Sequence, residues 1–144
     1  MALILRTSRC AICGNPIGDA PATGLPHFVR NRRDPLFELS DAPLHEECFL
    51  NHPLHNLVER RIEEWRSHVQ LERPRCVTCG EEIEKGWYNT GFFTDDRSHP
   101  LYEFNYLHFH RPHVRLWSRF LELSRLVDEF EHSGAYEGPP ILPK

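Results

Sequence analysis

No stretch of this sequence approaches the roughly 18 apolar residues that a membrane span requires. None supplies the apolar run of about 7–15 residues that follows the basic start of a secretory signal. The opening Met1-Ala-Leu-Ile-Leu-Arg6 has five apolar residues and then an arginine. The expectation is a cytoplasmic protein without membrane association. An excess of one charge is also missing. The formal net charge is -4, which fits neither a basic nucleic-acid-binding arm nor an acidic tail. Apolar residues at 40% and charged residues at 26% exclude the composition of a disordered chain, which is poor in the first and high in net charge. With 144 residues there is room for one ordinary domain or two very small ones. Twelve prolines, above the usual share of about 5%, assign much of the chain to turns and loops.

A complete disulfide framework is excluded as well, because five cysteines cannot all pair. In a reducing compartment cysteines are more often metal ligands or catalytic groups. Ten histidines accompany them, and their arrangement repeats. Cys10-Ala-Ile-Cys13-Gly14-Asn-Pro-Ile17 matches Cys76-Val-Thr-Cys79-Gly80-Glu-Glu-Ile83 at an offset of 66. Thr23-Gly24 is read as the counterpart of Thr90-Gly91. Pro35-Leu-Phe-Glu-Leu39 matches Pro100-Leu-Tyr-Glu-Phe104 at an offset of 65, which carries Leu44-His45-Glu-Glu-Cys48 onto Phe109-His110-Arg-Pro-His113. The same features in the same order give two modules, 1–73 and 74–144, joined near Leu71-Glu-Arg-Pro-Arg75, where Pro74 ends any incoming helix. The second module ends in an irregular C-terminal tail from Tyr136.

Each module is expected to be a knuckle, a β-hairpin and a helix, giving a small α+β fold. The glycine after each Cys-x-x-Cys allows the left-handed backbone of a tight turn. Aromatic and β-branched runs bounded by turn residues predict strands. In the first module these are His27–Arg30 and Pro35–Leu39, around Asn31–Asp34; in the second they are Trp87–Phe93 and Leu101–Tyr106, around Thr94–Pro100. Spacings of three and four predict the helices. Leu54, Leu57, Val58, Ile62, Trp65 and Val69 mark the first, with Pro53 in its first turn after a short turn from His45 and a break. Leu116, Trp117, Phe120, Leu121, Leu123, Leu126, Val127 and Phe130 mark the second, closed by Gly134.

Structural zinc takes four thiolate or imidazole ligands in a closed tetrahedron. Each module offers four such groups as two close pairs: Cys10, Cys13, His45 and Cys48, then Cys76, Cys79, His110 and His113. The pairs are separated by 31 residues in the first module (14–44) and 30 in the second (80–109). All five cysteines are used, and two zinc ions per chain are expected. In the second site His108 or His99 could take the place of a named histidine. A thioredoxin-like redox pair would need a βαβ context that this chain lacks.

The order knuckle, hairpin, then two ligands at a helix start resembles the treble-clef zinc-finger superfamily, twice over and across most of the chain. The resemblance implies two tandem, zinc-stabilised treble-clef-like modules and carries no particular activity. The first half also resembles the first zinc half of a LIM domain, but has a longer insert and lacks the cysteine pairs that should follow at once. A RING finger fails for the same reason.

Catalytic signatures are absent. There is no His-Glu-x-x-His and no zinc-deaminase pattern. Some treble-clef proteins are HNH-type nucleases, and His45, Asn51 and His55 occur in that order, but their spacing is too tight and His45 is spent on zinc. The expectation is a non-enzymatic protein-interaction module, an adaptor, regulator or immunity-type protein, whose partner is another protein. The alternative is a nucleic-acid binder using Arg30-Asn-Arg-Arg33, joined by Arg60, Arg61, Arg73 and Arg75. Against it, the second repeat has Asp95-Asp96 in the same place. Two zinc ions add four positive charges and five thiolates add five negative ones, which moves the formal -4 one unit further from the balance that a polyanion favours.

Overall fold

The computed structural model describes residues 4–143. The chain divides into two compact units, one ending at Trp65 and the other beginning at Arg66. Each is α+β, with one two-stranded antiparallel sheet. In the first, β1 (Ala22–Gly24) pairs with β2 (Pro43–His45), Thr23 opposite Leu44. Strand β2 runs straight into a short helix α1 (Glu46–Leu50), and after a break at His52 and Pro53 the chain enters α2 (His55–Val69). The unit boundary falls inside α2. In the second, β3 (Trp87–Asn89) pairs with β4 (His108–His110), Tyr88 opposite Phe109. Strand β4 runs into a 3₁₀ segment, Arg111–Leu116, and then α3 (Phe120–His132) follows.

Strand β3 lies inside the expected Trp87–Phe93, but the other strands are not where the aromatic runs place them. His27–Arg30 is irregular, and Pro35–Leu39 and Leu101–Tyr106 carry 3₁₀ turns at Phe37–Leu39 and Tyr102–Phe104. A 3₁₀ turn has three residues per turn, so positions i and i+3 share a side. Leu36 with Leu39, and Leu101 with Phe104, are spaced this way and all are buried, while Glu38 and Glu103 face solvent. A side-chain acceptor starts each turn. Asp34 Oδ1 accepts the Leu36 N–H at 2.8 Å and His99 Nδ1 accepts that of Leu101 at 3.1 Å. The second strand of each pair is instead the segment that ends in the first histidine of the later Cys/His pair.

The repeat is closer than the sequence match, with one correction. Thr23 corresponds to Tyr88, both being the central residues of their strands, rather than to Thr90. Thr90 takes the place of Leu25: the N–H of Leu25 donates to the Ala42 carbonyl at 3.0 Å and that of Thr90 to the Leu107 carbonyl at 3.1 Å. From β1 onward all counterparts are 65 apart, so the missing residue lies between Ile83 and Trp87. Asp41 and Tyr106 obey the same offset, and both hold φ at 57°, donating their N–H to Pro26 and Gly91 carbonyls at 3.0 and 2.7 Å.

Helix packing follows the offset too. Val58 and Leu123 are fully buried, and Ile62 and Val127 nearly so. The first core gathers Leu25, Phe28, Leu36, Leu44, Val58 and Ile62, with Trp65 and Leu57 packed against it. In the second unit Leu101, Phe104, Leu123, Leu126 and Val127 form one cluster. Cys76, Ile83, Phe109 and Val114 form another under the knuckle. Leu116 and Leu121 do not join the apolar stripe expected of them: they are 72% and 82% exposed. Leu116 lies on the 3₁₀ segment, out of register with α3, and Leu121 is two residues from Leu123, about 200° around an α-helix. Gly134, with φ at 80°, follows the end of α3 as expected.

Leu44→Ala and Leu123→Ala, each emptying a site of zero exposure, are expected to cost about 2–5 kcal/mol of unfolding free energy apiece. Leu121→Ala should stay within about 0.5 kcal/mol of the parent. Urea unfolding of metal-loaded protein measures all three, and a Leu121 effect equal to that of Leu123 would contradict the assigned face of α3.

Candidate metal centres

Each centre starts at a knuckle. Cys10 N–H donates to the Asn15 carbonyl at 2.9 Å, and Gly14 N–H returns to the Cys10 carbonyl at 2.8 Å. In the second unit Cys76 N–H donates to Glu81 at 2.9 Å and Gly80 N–H to Cys76 at 2.8 Å. Closing this turn takes φ of 73° at Gly14 and 77° at Gly80, where a side chain would be strained. An arginine braces each turn from outside: Arg9 Nη1 donates to the Gly14 carbonyl at 3.0 Å and Arg75 Nη1 to that of Gly80 at 3.1 Å. Sequence reasoning missed this role. The signal was there, since both halves read Arg-Cys-x-x-Cys-Gly.

The knuckle is tied to the strand that carries the later pair. Ala11 N–H donates to the Pro43 carbonyl at 3.1 Å, and Val77 N–H to that of His108 at 2.9 Å. The His45 N–H points at Cys10 Sγ, and the His110 N–H at Cys76 Sγ, each at 3.4 Å. Strand β2 thus delivers His45 beside the thiols, and α1 places Cys48 three residues on. In the second unit β4 delivers His110, and the 3₁₀ segment places His113.

The structure brings Cys10, Cys13, His45 and Cys48 together in one group and Cys76, Cys79, His110 and His113 in another, with the donor atoms of each within 4.8 Å of one another. Sulfur to imidazole Nδ1 distances are 3.4 Å for Cys13–His45, 3.8 Å for Cys48–His45, 3.6 Å for Cys79–His110 and 3.8 Å for Cys76–His113. A tetrahedron with bonds of about 2.0–2.3 Å has edges of about 3.3–3.8 Å, so these spacings fit the coordination shell of one ion. The His45 tautomer fits as well. Its Nε2 lies 3.2 Å from the Pro16 carbonyl. A carbonyl only accepts, so Nε2 carries the proton and Nδ1 presents its lone pair to the thiols, as outer partners orient metal-binding histidines.

Electrostatics point the same way. Burial works to raise the Cys10 thiol, but the N–H groups of Cys13, His45 and Ile12 stabilise its thiolate more, and it falls from 9.0 to about 6. Cys76 falls to about 5: burial again opposes, and the N–H groups of Cys79 and His110 with the His113 ring outweigh it. Cys48 moves the other way, pushed up to about 11 by burial and by Cys13 and Cys10 beside it. The backbone therefore prepares one thiolate in each centre, and in the first a further thiolate is refused unless a cation offsets it.

The other candidates lie elsewhere. His108 is buried with Nε2 3.1 Å from Asn89 Nδ2, under Trp87. Burial and the nearby His68 lower its pKa. His99 caps its 3₁₀ turn and meets the Phe130 ring. Neither belongs to a Cys/His group. Asn51 Nδ2 donates to the Glu47 carbonyl at 2.9 Å, and His55 stands edge-on to Phe49 with Nε2 3.4 Å from Glu59. The arginine set contracts. Arg61 is buried, 3.5 Å from Asp34, and Arg73 and Arg75 face Glu82 at 3.7 and 3.4 Å. Arg30, Arg32 and Arg33 are exposed. No helix among the described residues is long and apolar enough to cross a membrane.

No protein-family model, curated protein or solved structure matches the chain.

A thiol titrating at about 11 is protonated at pH 7.5 and must lose that proton to bind a metal. Metal uptake by stripped, reduced protein at pH 7.5 is therefore expected to release protons, and Cys48→His should release about one fewer per chain, because neutral imidazole binds without deprotonation. A pH-indicator dye in weak buffer reads both. Equal proton release by parent and Cys48→His would contradict the placement of Cys48 in the shell.

Proposed function

We propose that the chain is a zinc-stabilised protein-interaction protein made of two tandem treble-clef-like modules. What supports the reading is that knuckle, two-stranded sheet and helical segment follow one another in each unit, with the later pair of donors at the end of the second strand and in the helical turn after it. Two donor groups of four carry the reading. Four donors fill a tetrahedron and leave no position for substrate, which suits a structural ion rather than a catalytic one. Sulfur and imidazole donors favour zinc among common metals. All five cysteines are free thiols, which suits a reducing compartment such as the cytoplasm. Asn51 and His55, the residues that a nuclease reading would enlist, are engaged in helix contacts.

A protein partner is favoured over nucleic acid because the basic face is small. Phosphate contacts supply most non-specific nucleic-acid affinity, and Arg61, Arg73 and Arg75 are spent on carboxylates. The exposed Arg30, Arg32, Arg33 and Arg60 are the other members of that set, on a chain of formal net charge -4.

Native mass spectrometry of protein purified without chelator is expected to find two zinc ions per chain. Cys48→His should keep both, since His113 occupies the corresponding place in the second unit, while Cys48→Ala should keep one. Equal loss in both variants would break the equivalence of the two centres. Binding to mixed DNA and RNA should be weak and vanish at physiological salt. Tight, salt-resistant binding that collapses in an Arg30/Arg32/Arg33 triple alanine variant would replace the protein partner with nucleic acid.

A further inference from the structure

The two centres are built alike but are not held alike. In the first, the Pro16 carbonyl fixes the His45 ring, 3.2 Å from Nε2. Arg9 bridges to Pro16 as Arg75 bridges to Glu82, so Glu82 is the matching residue. The His110 and His113 rings meet each other and the thiols, but no carbonyl among the described residues.

The backbone around the later ligand pair differs in the same direction. Glu46 N–H donates to the Pro21 carbonyl at 3.0 Å, while its counterpart Arg111 reaches Gly86 at 3.4 Å. His52 N–H donates to the Phe49 carbonyl at 3.1 Å, while Trp117 reaches Val114 at 3.4 Å. The longer pair exceeds the usual range of about 2.7–3.2 Å. Cys48 stands on α1, which Asn51 backs with Nδ2 2.9 Å from the Glu47 carbonyl. His113 stands on a 3₁₀ segment, whose hydrogen-bond geometry is poorer, and Leu116 takes the place of Asn51. Thr78 works the other way: its hydroxyl donates to the His113 carbonyl at 3.0 Å, where the first unit has Ile12.

The cores differ too. In the first unit Cys10 and Ile17 of the knuckle share one cluster with Val58 and Ile62 of α2. In the second, Cys76 and Ile83 lie with Phe109 and Val114, while Leu123, Leu126 and Val127 of α3 lie with Phe93, Leu101 and Phe104. The half-buried Leu107 and Trp117 touch both clusters. Segments with cores of their own open at their own free energies.

We propose that the second centre is an exchangeable zinc site, which fills and empties with the free-zinc level while the first stays loaded. Its emptying opens the knuckle of the second unit and leaves the α3 core folded. This adds a regulatory role to the zinc reading above and rests on that reading. The cause is the difference in hold. Loss of an outer partner of a metal ligand costs about 10–100-fold in metal affinity. At the second centre the carbonyl on the imidazole is missing and both matched backbone bonds are longer.

The probe is zinc itself. Full-length, zinc-loaded chain is equilibrated at pH 7.5 in chelator-buffered zinc of falling free concentration, and read by native mass spectrometry and by amide hydrogen exchange. A one-zinc species is expected, with the two half-loss points at least about tenfold apart in free zinc. In that species the Val77 N–H, tied to the His108 carbonyl, should lose protection, and the Ala11 N–H, tied to that of Pro43, should keep it. Leu126 and Val127 on α3 should also stay protected. Release of both ions together, or loss of protection at Ala11 before Val77, overturns the proposal. Loss of protection at Leu126 along with Val77 overturns the separate opening of the knuckle. Thr78→Ala should ease release of the first-leaving ion by about two- to tenfold and leave the other unchanged; an effect on the later ion alone overturns the assignment. Protein that holds no zinc before chelator is added ends the zinc reading and this proposal with it, whereas joint release of two ions ends the proposal alone.

Discussion

Four sulfur and nitrogen donors within 4.8 Å of one another make a cluster that a cation favours and that charge repulsion opposes without one. Cys48 shows the conflict directly: with Cys10 prepared as a thiolate, the neighbouring thiol is driven upward. On the proposed reading the remaining architecture leans on this closure. Each strand has three residues, and a two-stranded sheet of that length is marginal on its own. On the proposed reading the ion joins the knuckle to the end of β2 or β4 and closes the long loop between them. The small cores of Leu36 and Leu44, or of Leu101 and Phe104, then fill the enclosed space.

Much of the site could be read from the chain, because metal ligation demands particular residue types at particular spacings. The eight residues of the two Cys/His groups are the ones that the structure assembles. The α+β class and the broken first helix were legible for a similar reason: Pro53 and the spacing of Val58 and Ile62 act locally. The strands were not. Trp87–Asn89 fell inside an expected strand, but Pro35–Leu39 and Leu101–Tyr106 are aromatic and apolar for another reason, to bury residues three apart in a 3₁₀ turn. Alternation by two and repetition by three are hard to separate over five residues. The true second strands, Pro43–His45 and His108–His110, are too short and too polar to announce themselves. They are defined by pairing to residues some twenty positions away, which no local pattern encodes. Brackets such as Arg9 and Arg75 on the knuckle carbonyls became visible only once the turn they brace was in place.

The two units also show how one scaffold diverges. Asp34 and His99 start equivalent turns with a carboxylate and an imidazole. Ser40 and Asn105 hold equivalent loop amides with a hydroxyl and an amide oxygen, at 3.0 Å to Phe28 N–H and 2.7 Å to Phe93 N–H. In each pair the acceptor role is kept and the atom that fills it changes, which is what a backbone requirement permits. The exchange of Cys48 for His113 follows the same rule at the candidate metal centres. Arg119 departs from it. Its guanidinium lies over Phe104 and bridges Glu103 and Glu122 at 2.7 and 2.8 Å, an exposed network with no counterpart at Leu54.

X-ray absorption at the zinc edge probes the proposed centres directly, since it counts donors rather than ions. Two ions sharing the five sulfurs and three imidazoles of the two groups predict a mean shell of about 2.5 sulfurs near 2.3 Å and about 1.5 nitrogens near 2.0 Å. Cys48→His should lower the sulfur count by about 0.5 and raise the nitrogen count equally. A shell dominated by oxygen, or a mean of four sulfurs on a single ion, would contradict paired Cys3His and Cys2His2 centres.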